Sequence, residues 1–192
     1  MPFVTGATGK RERVVVNCGR EKSVVFEAGI IQERVAQMAE LITADYPGKD
    51  LVAICVLKGA FMFFADLVRR IPLDMETDFV RVKSYGAGDA SSGKIELTKD
   101  VECSLTGRDV LIVEDIVDCG LSMDFLLREF RAREPKSLRL AALIDKVERR
   151  RVPVRVDYAG FTVDAGFLVG YGLDYAEQYR TSPAIFRLNL QL

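Results

Sequence analysis

The chain alternates short apolar runs with stretches in which apolar residues recur at helical spacing. Short apolar runs bounded by turn residues are typical of buried parallel strands, and three of them occur, at residues 51–57, 110–113 and 138–144. Apolar residues at every third or fourth position predict amphipathic helices over residues 26–45, 61–70 and 123–130. This alternation predicts an α/β fold with a parallel-rich sheet, helices on both of its faces, and ligands at the carboxyl ends of the strands.

The segments between and beyond these elements are more polar. Residues 1–22 predict a flexible lead-in with one short strand at residues 14–16. Residues 78–83 alternate apolar and polar positions, and together with residues 94–101 they predict a hairpin. Shorter strands are predicted at residues 154–156, 158–161 and 167–169.

Residues 84–93, which join the two strands of the predicted hairpin, are rich in Gly, Ser and Ala. A loop of this composition inside a compact domain is either disordered or a lid over a functional site. The composition alone favours neither interpretation.

The overall composition predicts a single globular domain over residues 1–192. With 49% hydrophobic residues and a formal net charge of −1, a chain of 192 residues can form a proper core. A charge so close to zero argues against a dedicated nucleic-acid surface, which is normally basic. No apolar run reaches the roughly 18 residues of a membrane span, and neither end resembles a signal peptide or a peroxisomal address. The cytoplasm is therefore the expected location.

The absence of histidine narrows the possible chemistry. Histidine-based triads, metal sites and acid–base catalysis are excluded, so any acid–base role falls to Asp, Glu, Lys or Tyr. Any divalent ion must be bound by oxygen atoms, which favours Mg²⁺ with substrate phosphates as co-ligands. The four cysteines lack metal-binding spacing and are predicted to be reduced core or turn residues: Cys18, Cys55, Cys103 and Cys119.

The strongest candidate site lies in residues 110–123. Two adjacent acids, Glu114 and Asp115, follow the apolar run, and a third acid, Asp118, precedes a tight turn with Gly120 and Ser122. Backbone N–H groups in such a turn and at the start of the next helix bind phosphate. Carboxylates accept the hydrogen bonds that a ribose diol donates. The motif therefore predicts a ribose 5-phosphate, with its phosphate towards Ser122 and its hydroxyls towards the adjacent acids; the alternative is an ordinary turn with solvated acids.

Three further features are weaker by themselves. A turn with Lys58 and Gly59 after a strand outlines a second anion site, although a surface lysine there is commonplace. Lys146 opens a basic cluster after the third strand, which a solvated loop would also explain. Phe167 lies in a stretch that also fits a core strand, and Asp174 also fits an ordinary turn acid.

Together these motifs resemble a known family. Residues 113–122, Val-Glu-Asp-Ile-Val-Asp-Cys-Gly-Leu-Ser, resemble the phosphoribosyl pyrophosphate (PRPP) motif of the type I phosphoribosyltransferases, in the version of the hypoxanthine-guanine (6-oxopurine) branch. Cys119 stands where this family usually has Thr, and Leu121 where it has Lys or Thr, so a phosphate-binding hydroxyl is missing. Further motifs follow in the family's order over most of residues 26–180. The resemblance implies a type I phosphoribosyltransferase fold with a small hood built from the terminal segments.

The resemblance also implies a role for each motif. The residues that it assigns to the ribose phosphate are Glu114, Asp115, Ile116, Val117, Asp118, Cys119, Gly120, Leu121 and Ser122. Those that it assigns to pyrophosphate are Lys58, Gly59, Ser84, Tyr85 and Arg180. Those that it assigns to the purine are Lys146 at the exocyclic oxygen, Phe167 stacked on the base, Leu168 through its backbone, and Asp174. In the family the peptide before the pyrophosphate lysine is often cis, and residues 84–93 match a loop that closes over the site. Arg150 would either reach pyrophosphate or order its own loop.

The reaction so implied is purine salvage, in which the 5-phosphoribosyl group of PRPP is transferred to hypoxanthine or guanine. Asp118 would take the proton from purine N7, Mg²⁺ would bind Asp174, Glu114 and Asp115, and the family usually forms dimers or tetramers. The main alternative is a regulatory relative that binds RNA, which would show a basic face and need not keep Asp118. A third possibility is a response-regulator-like α/β switch, which would not need Lys58 or the segment around residue 167.

Overall fold

The computed structural model describes residues 4–5, 11–12, 14–17, 20–85 and 94–189. Within these ranges the helices are α1 (Ala28–Asp45), α2 (Phe61–Val68) and α3 (Leu121–Arg131). The strands are β1 (Val4–Thr5), β2 (Arg11–Glu12), β3 (Val14–Asn17), β4 (Arg20–Phe26), β5 (Leu51–Val56), β6 (Met75–Tyr85), β7 (Lys94–Lys99), β8 (Asp109–Val117), β9 (Ser137–Lys146), β10 (Tyr158–Val163), β11 (Phe167–Val169) and β12 (Ile185–Leu188).

A six-stranded sheet forms the centre of the fold, in the order β10-β9-β8-β5-β6-β7. All neighbours in it run parallel except β6 and β7, which form the predicted antiparallel hairpin. The predicted α/β fold with a parallel-rich sheet is therefore confirmed. Because β6 lies on one side of β5 and β8 on the other, the direction of winding changes between β5 and β8. The carboxyl ends of these two strands consequently flank a crevice, which is where open α/β sheets bind ligands.

Apolar layers cover both faces of this sheet. Successive residues of β5 point to opposite faces, so that Ala53 packs with α1 and α2 whereas Ile54 packs with α3. The two longer helices bury stripes of helical spacing, Ile31, Val35, Met38, Ala39 and Ile42 in α1, and Met123, Leu126, Leu127 and Phe130 in α3. Burial of one large aliphatic or aromatic side chain contributes about 1.5–3 kcal/mol. These layers therefore hold the sheet rigid, and the crevice with it.

A second, antiparallel sheet in the order β11-β12-β4-β3 is built from segments near the two ends of the described chain. The rings of Phe26 in β4 and Phe161 in β10 stack with their centroids 4.0 Å apart and link this sheet to the central one. Its strand β11 brings Phe167 and Leu168 to the crevice.

Several elements differ from their predicted bounds for identifiable reasons. The predicted strand at residues 110–113 extends to Val117, because β9 continues to pair beside it up to Asp145. Glu114 and Asp115 therefore lie within the strand and not after it. Helix α1 begins at Ala28, two residues later than predicted, since Phe26 ends β4 and Glu27 is the N-cap of the helix.

The strand predicted at residues 154–156 is wrong. This segment has no strand assignment, and Val154 packs on the α3 side of the core instead. The Val154 carbonyl oxygen accepts a hydrogen bond from Arg150 Nη1 at 3.1 Å. A side chain thus takes the place of the neighbouring strand that the apolar pattern led us to expect.

Two predicted segments fall partly or wholly outside the described residues. The predicted loop at residues 84–93 lies outside them from residue 86 onwards, and much of the predicted lead-in at residues 1–22 does so too. Strand β3 coincides with the short strand predicted at residues 14–16. Within the described ranges, no helix is long and apolar enough to cross a membrane.

Candidate active site

Two buried acids line the crevice near the carboxyl end of β8. Glu114 and Asp115 are 8% and 9% exposed. Glu114 Oε1 accepts a hydrogen bond from the N–H of Asp115 (2.9 Å), and Asp115 Oδ1 accepts one from the N–H of Ile116 (2.8 Å). Burial, and then the charge of Asp115, raises the pKa of Glu114 well above its usual value, and burial also raises the pKa of Asp115. Hydroxyl donors or a cation would compensate these carboxylates for the water they have lost.

The turn after β8 joins these acids to the start of α3. Gly120 has a φ of +85°, and a Cβ there would lie 2.6 Å from the carbonyl oxygen of Val152, so glycine is required. Helix α3 begins at the next residue, and the first N–H groups of a helix have no partners within it. Cys119 and Ser122 line the cavity at this turn. The turn therefore offers the backbone donors that a phosphate needs.

Arg150 holds this turn against the loop that follows β9. Its guanidinium donates to the carbonyl oxygens of Asp118, Val117 and Val154, each at 3.1 Å. It also pairs with the carboxylate of Asp145. Of the two roles that the sequence left open for Arg150, these bonds favour the ordering of its loop, because they occupy the guanidinium.

Two adjoining cavities open at the crevice. The smaller one, of about 230 Å³, lies between the turn after β8 and the loop after β5. The larger one, of about 470 Å³, lies between the end of β8, the loop after β9 and β11. Asp115, Ile116 and Asp118 line both cavities. A molecule in one cavity would therefore meet a molecule in the other at these three residues.

Asp118 stands where the cavities meet, with two cations beside it. Its Oδ1 lies 3.6 Å from Lys146 Nζ, and its Oδ2 lies 4.0 Å from Arg149 Nη1. Lys146 is only 5% exposed. Asp118 Oδ1 is buried and has no hydrogen-bond partner among the residues that the structure describes. Buried polar atoms of this kind need an explanation, and a donor on a ligand in the larger cavity provides one.

An aromatic wall and a charged wall enclose the larger cavity. Phe167 is 39% exposed, and its ring meets that of Tyr175 edge to face at 5.5 Å between centroids. Leu168 lines the same cavity, and so do two charged residues of the loop after β9, Glu148 and Arg149. Neither of these last two residues was predicted as a site residue. The only sequence feature that indicated them was the basic cluster after β9, and a solvated loop would explain that cluster equally well.

The loop after β5 packs directly against the acids of β8. The peptide between Leu57 and Lys58 is cis, as the family resemblance implies. A Cβ on Gly59 would lie 1.8 Å from Asp115 Oδ2, and a Cβ on Gly172 would lie 1.9 Å from the carbonyl oxygen of Gly59. Glycine is therefore required at both positions for this loop to fit between β8 and the segment after β11.

A hydrogen-bond network braces the segment after β11. The hydroxyl of Tyr171 donates to Asp66 Oδ2 (2.7 Å), and Gln32 Nε2 donates to the same oxygen (2.7 Å). Burial, and then the hydrogen bond to Asp66, raises the pKa of Tyr171 above its usual value. Because Asp66 belongs to α2 and Gln32 to α1, both helices fix the backbone that carries Gly172 and Asp174. This network was not predicted, since no local sequence pattern indicates such distant contacts.

Arg180 lies next to the loop after β5 and is already paired. Its Nη1 donates to the carbonyl oxygen of Gly172 (2.8 Å), and its Nη2 lies 2.9 Å from Asp174 Oδ1 and 3.2 Å from Glu177 Oε2. Both carboxylate oxygens of Glu177 also accept hydrogen bonds from Lys58 Nζ, at 3.1 Å each. Lys58 and, second, Arg180 lower the pKa of Glu177. The two predicted pyrophosphate cations thus meet around one carboxylate.

Among the predicted site residues whose side chains the structure describes, Lys58, Leu121 and Arg180 line neither cavity. Ser84 and Tyr85 end β6, where they pair with Ile95 and Lys94, and the structure describes only their backbone. Leu121 starts α3 and lines neither cavity. The other predicted residues lie in or beside the crevice.

The acids of the crevice fit a divalent cation that is shared with a substrate. Within the described residues, no group of three acidic or cysteine side chains is arranged to hold a metal by itself. Mg²⁺ commonly binds one or two carboxylates and completes its coordination with waters and substrate phosphates. Glu114, Asp115 and Asp174 offer only oxygen atoms. This donor set therefore fits Mg²⁺ that is held jointly with a phosphorylated substrate.

A doubly wound sheet with a phosphate-type turn at its crevice is typical of nucleotide-binding α/β proteins. Comparison with known families is more specific. The family model described as the phosphoribosyl transferase domain matches residues 25–176, and the chain belongs to this family. More particularly, it is 44% identical over 165 residues to the hypoxanthine-guanine phosphoribosyltransferase of Bacillus subtilis (strain 168), a match that covers 86% of this chain and 91% of that protein. The predicted resemblance to the 6-oxopurine branch is thereby confirmed.

Two further comparisons concern structure and length. The crystal structure of a hypoxanthine phosphoribosyltransferase from Staphylococcus aureus matches with a TM-score of 0.83 at 37% identity, covering 86% of this chain and 90% of that one. A relative from Listeria innocua, named bifunctional protein TilS/HprT, is 43% identical over 164 residues. The match covers 85% of this chain, which spans only 25% of that longer protein.

Proposed function

We propose that this protein is a purine-salvage enzyme that transfers the 5-phosphoribosyl group of PRPP to hypoxanthine or guanine. The products are the nucleoside 5′-monophosphate and pyrophosphate. The observation that carries the proposal is the pair of adjoining cavities that share Asp115, Ile116 and Asp118. One cavity offers donors for a sugar phosphate, and the other offers a ring and a cation for a 6-oxopurine. The two substrates would meet at the shared residues.

The ribose phosphate would occupy the smaller cavity. Its phosphate would accept hydrogen bonds from the backbone of the turn at residues 118–122 and from Ser122. The ribose hydroxyls would donate to Glu114 and Asp115. As C1′ becomes cation-like, the negative charge of these acids favours the transition state, and their burial strengthens the effect because the local dielectric constant is low.

The purine would occupy the larger cavity. Phe167 would stack on the ring, the backbone of Leu168 would contact the base edge, and Lys146 would donate to the exocyclic oxygen. A donor selects a carbonyl and rejects the amino group of adenine. Asp118 would accept the proton from N7 as N9 forms its bond to C1′. This role is supported by Asp118 Oδ1, which is buried and accepts no hydrogen bond from the described residues.

Pyrophosphate would leave on the side of the loop after β5. The bond between C1′ and the pyrophosphate oxygen breaks, and its electron pair departs with pyrophosphate. Lys58, the backbone of Gly59 and Arg180 would hold the departing group. The chemistry that Mg²⁺ supplies when bound through Asp174, Glu114 or Asp115 is neutralisation of the charge that grows there. The predicted loop at residues 84–93 would exclude water.

Pyrophosphate release tests the proposal directly. The protein is mixed with Mg²⁺, PRPP and one base at a time, namely hypoxanthine, guanine or adenine. We expect release with hypoxanthine or guanine, little with adenine, and none after chelation of Mg²⁺. Absence of release with both 6-oxopurines would refute the proposal and leave the RNA-binding alternative. We also propose a homodimer or homotetramer that works in the cytoplasm, and light scattering measures the assembly.

A further inference from the structure

The carboxylate of one glutamate, Glu177, forms ion pairs with both cations that would bind pyrophosphate. Both carboxylate oxygens of Glu177 lie 3.1 Å from Lys58 Nζ, and Oε2 lies 3.2 Å from Arg180 Nη2. The side chain of Glu177 is 64% exposed, so it contributes nothing to the core. Its carboxylate is therefore an anion held at the entrance to the leaving-group site.

A tight turn aims this carboxylate. Tyr175 and Gln178 exchange backbone hydrogen bonds, at 3.3 and 3.0 Å. The two residues between them, Ala176 and Glu177, both have positive φ values, +51° and +63°, as in a type I′ turn. The N–H of Glu177 also donates to Asp174 Oδ2 at 2.8 Å. The turn thus fixes the position of the Glu177 backbone, and Lys58 and Arg180 fix the position of its carboxylate.

We propose that Glu177 is a built-in competitor of pyrophosphate, and that it sets the affinity for pyrophosphate and for the pyrophosphate end of PRPP. This inference rests on the proposed function. Arg180 Nη1 is bound to the carbonyl oxygen of Gly172, and its Nη2 faces Asp174 and Glu177. A pyrophosphate that uses Lys58 and Arg180 must therefore displace the carboxylate or lie against its like charge. Either event weakens its binding.

The same contact would favour release of the product. When pyrophosphate departs, Lys58 would otherwise face no carboxylate among the described residues, and Arg180 would keep only Asp174 and the carbonyl oxygen of Gly172. The carboxylate of Glu177 returns to both and stabilises the empty site. Because product release limits the turnover of many enzymes, this exchange speeds the departure of pyrophosphate, while the equilibrium of the reaction stays unchanged.

The test is the substitution Glu177→Gln, which keeps the shape of the side chain and removes its charge. The inhibition constant Ki of inorganic pyrophosphate, measured in the presence of Mg²⁺, should fall by about three- to tenfold. The KM for PRPP should fall with it, whereas the KM for hypoxanthine should stay constant. Glu102→Gln is the matched control. The side chain of Glu102 is 84% exposed and pairs with Lys99 at 3.2 Å beside β7. This variant therefore loses a surface ion pair of the same kind outside the crevice. Its constants should equal those of the wild type.

The expected tightening cannot arise from structural damage, which would raise Ki and KM together. A Ki in Glu177→Gln that equals or exceeds the wild-type value overturns the proposal. Glu177→Ala should shift Ki in the same direction and provides a second variant if the first folds poorly. If the wild type releases no pyrophosphate from PRPP and hypoxanthine, the proposed function fails. Calorimetric titration of inorganic pyrophosphate with Mg²⁺ into wild type and variants then still decides whether the carboxylate competes.

Discussion

The substitution Gly59→Ala should displace the substrate-binding groups of the crevice and lower activity, while the protein stays folded. The added Cβ would lie 1.8 Å from Asp115 Oδ2, whereas ordinary contact begins at 3.4 Å, so the loop or the carboxylate must move by about 1.6 Å. The carboxylate is held by the N–H of Ile116 (2.8 Å) and is nearly buried. The loop is held from the other side by Gly172, which packs on the carbonyl oxygen of Gly59. Neither group can withdraw freely, so the strain falls on the groups proposed to bind ribose and pyrophosphate.

The size of the effect follows from this displacement. A misplacement of about 1 Å near a reacting centre can cost about 10²-fold in rate. We therefore expect kcat/KM for PRPP to fall by at least about 10²-fold, which corresponds to about 2.7 kcal/mol of transition-state stabilisation. Initial rates of pyrophosphate release over a range of PRPP concentrations, at saturating hypoxanthine, measure this quantity.

Gly29→Ala is the matched control for this experiment. It is the same chemical change within α1, and a Cβ there has nothing within 4 Å. Alanine is favoured over glycine inside a helix by roughly 0.5–1 kcal/mol, so this variant should keep wild-type kinetics and an equal or higher melting temperature. If Gly59→Ala kept kcat/KM within about threefold of the wild type, the close approach of loop and acid would be irrelevant to catalysis and the reasoning would be wrong.

Three further substitutions test the base, the purine contact and the fold. Asp118→Asn should keep nucleotide binding in calorimetry but lose about 10²–10⁴ in forward rate; near-normal turnover would refute its role as the base. Lys146→Ala should impair the use of hypoxanthine and guanine without enabling that of adenine, since losing a donor creates no acceptor; a competition assay between bases that showed a gain for adenine would contradict this. Asp78→Asn should lower the free energy of unfolding at pH 7 by about 1.5–3 kcal/mol, because Asp78 accepts three backbone N–H bonds. Burial raises the pKa of Asp78, but these donors outweigh it and the net pKa is lowered. The unfolded state then binds the proton more readily, so the stabilisation is present above the usual aspartate pKa of about 3.9 and is lost as the pH falls through the folded value. Denaturant midpoints of wild type and variant should converge in acid, and a constant gap would argue against this origin.

Much of the central sheet could be predicted because its strands are buried on both faces. An apolar run such as the one in β5 has no competing interpretation once a turn and a helix follow it. The prediction failed where pairing between distant segments decides the outcome. β8 continues through Glu114 and Asp115 because β9 runs alongside, although two adjacent acids look like the end of a strand. Residues 154–156 have a strand-like pattern, but a guanidinium and not a strand satisfies the Val154 carbonyl.

The candidate site was predictable where its chemistry is contiguous in the chain. The acids and the turn at residues 114–122 form one short motif, and their residue types alone indicate a sugar phosphate. Glu148, Arg149 and Glu177 could not be found in this way. Each reaches the crevice from a loop whose path is set by contacts far along the chain, such as the bond between Tyr171 and Asp66. The roles proposed for all these residues remain predictions for the experiments above.

The bonds of Arg150 make the turn after β8 and the loop after β9 a single mechanical unit. Glu148 and Arg149 project from this unit into the larger cavity, whereas the carbonyl oxygens that Arg150 binds belong to the backbone. Natural or designed variation at residues 148–149 therefore alters the wall of the larger cavity and leaves the curvature of the turn after β8 intact. The larger cavity can in this way change at residue 148 while the turn that lines the smaller cavity keeps its shape. A change at Arg149 also removes a charge from beside Asp118, which lines both cavities.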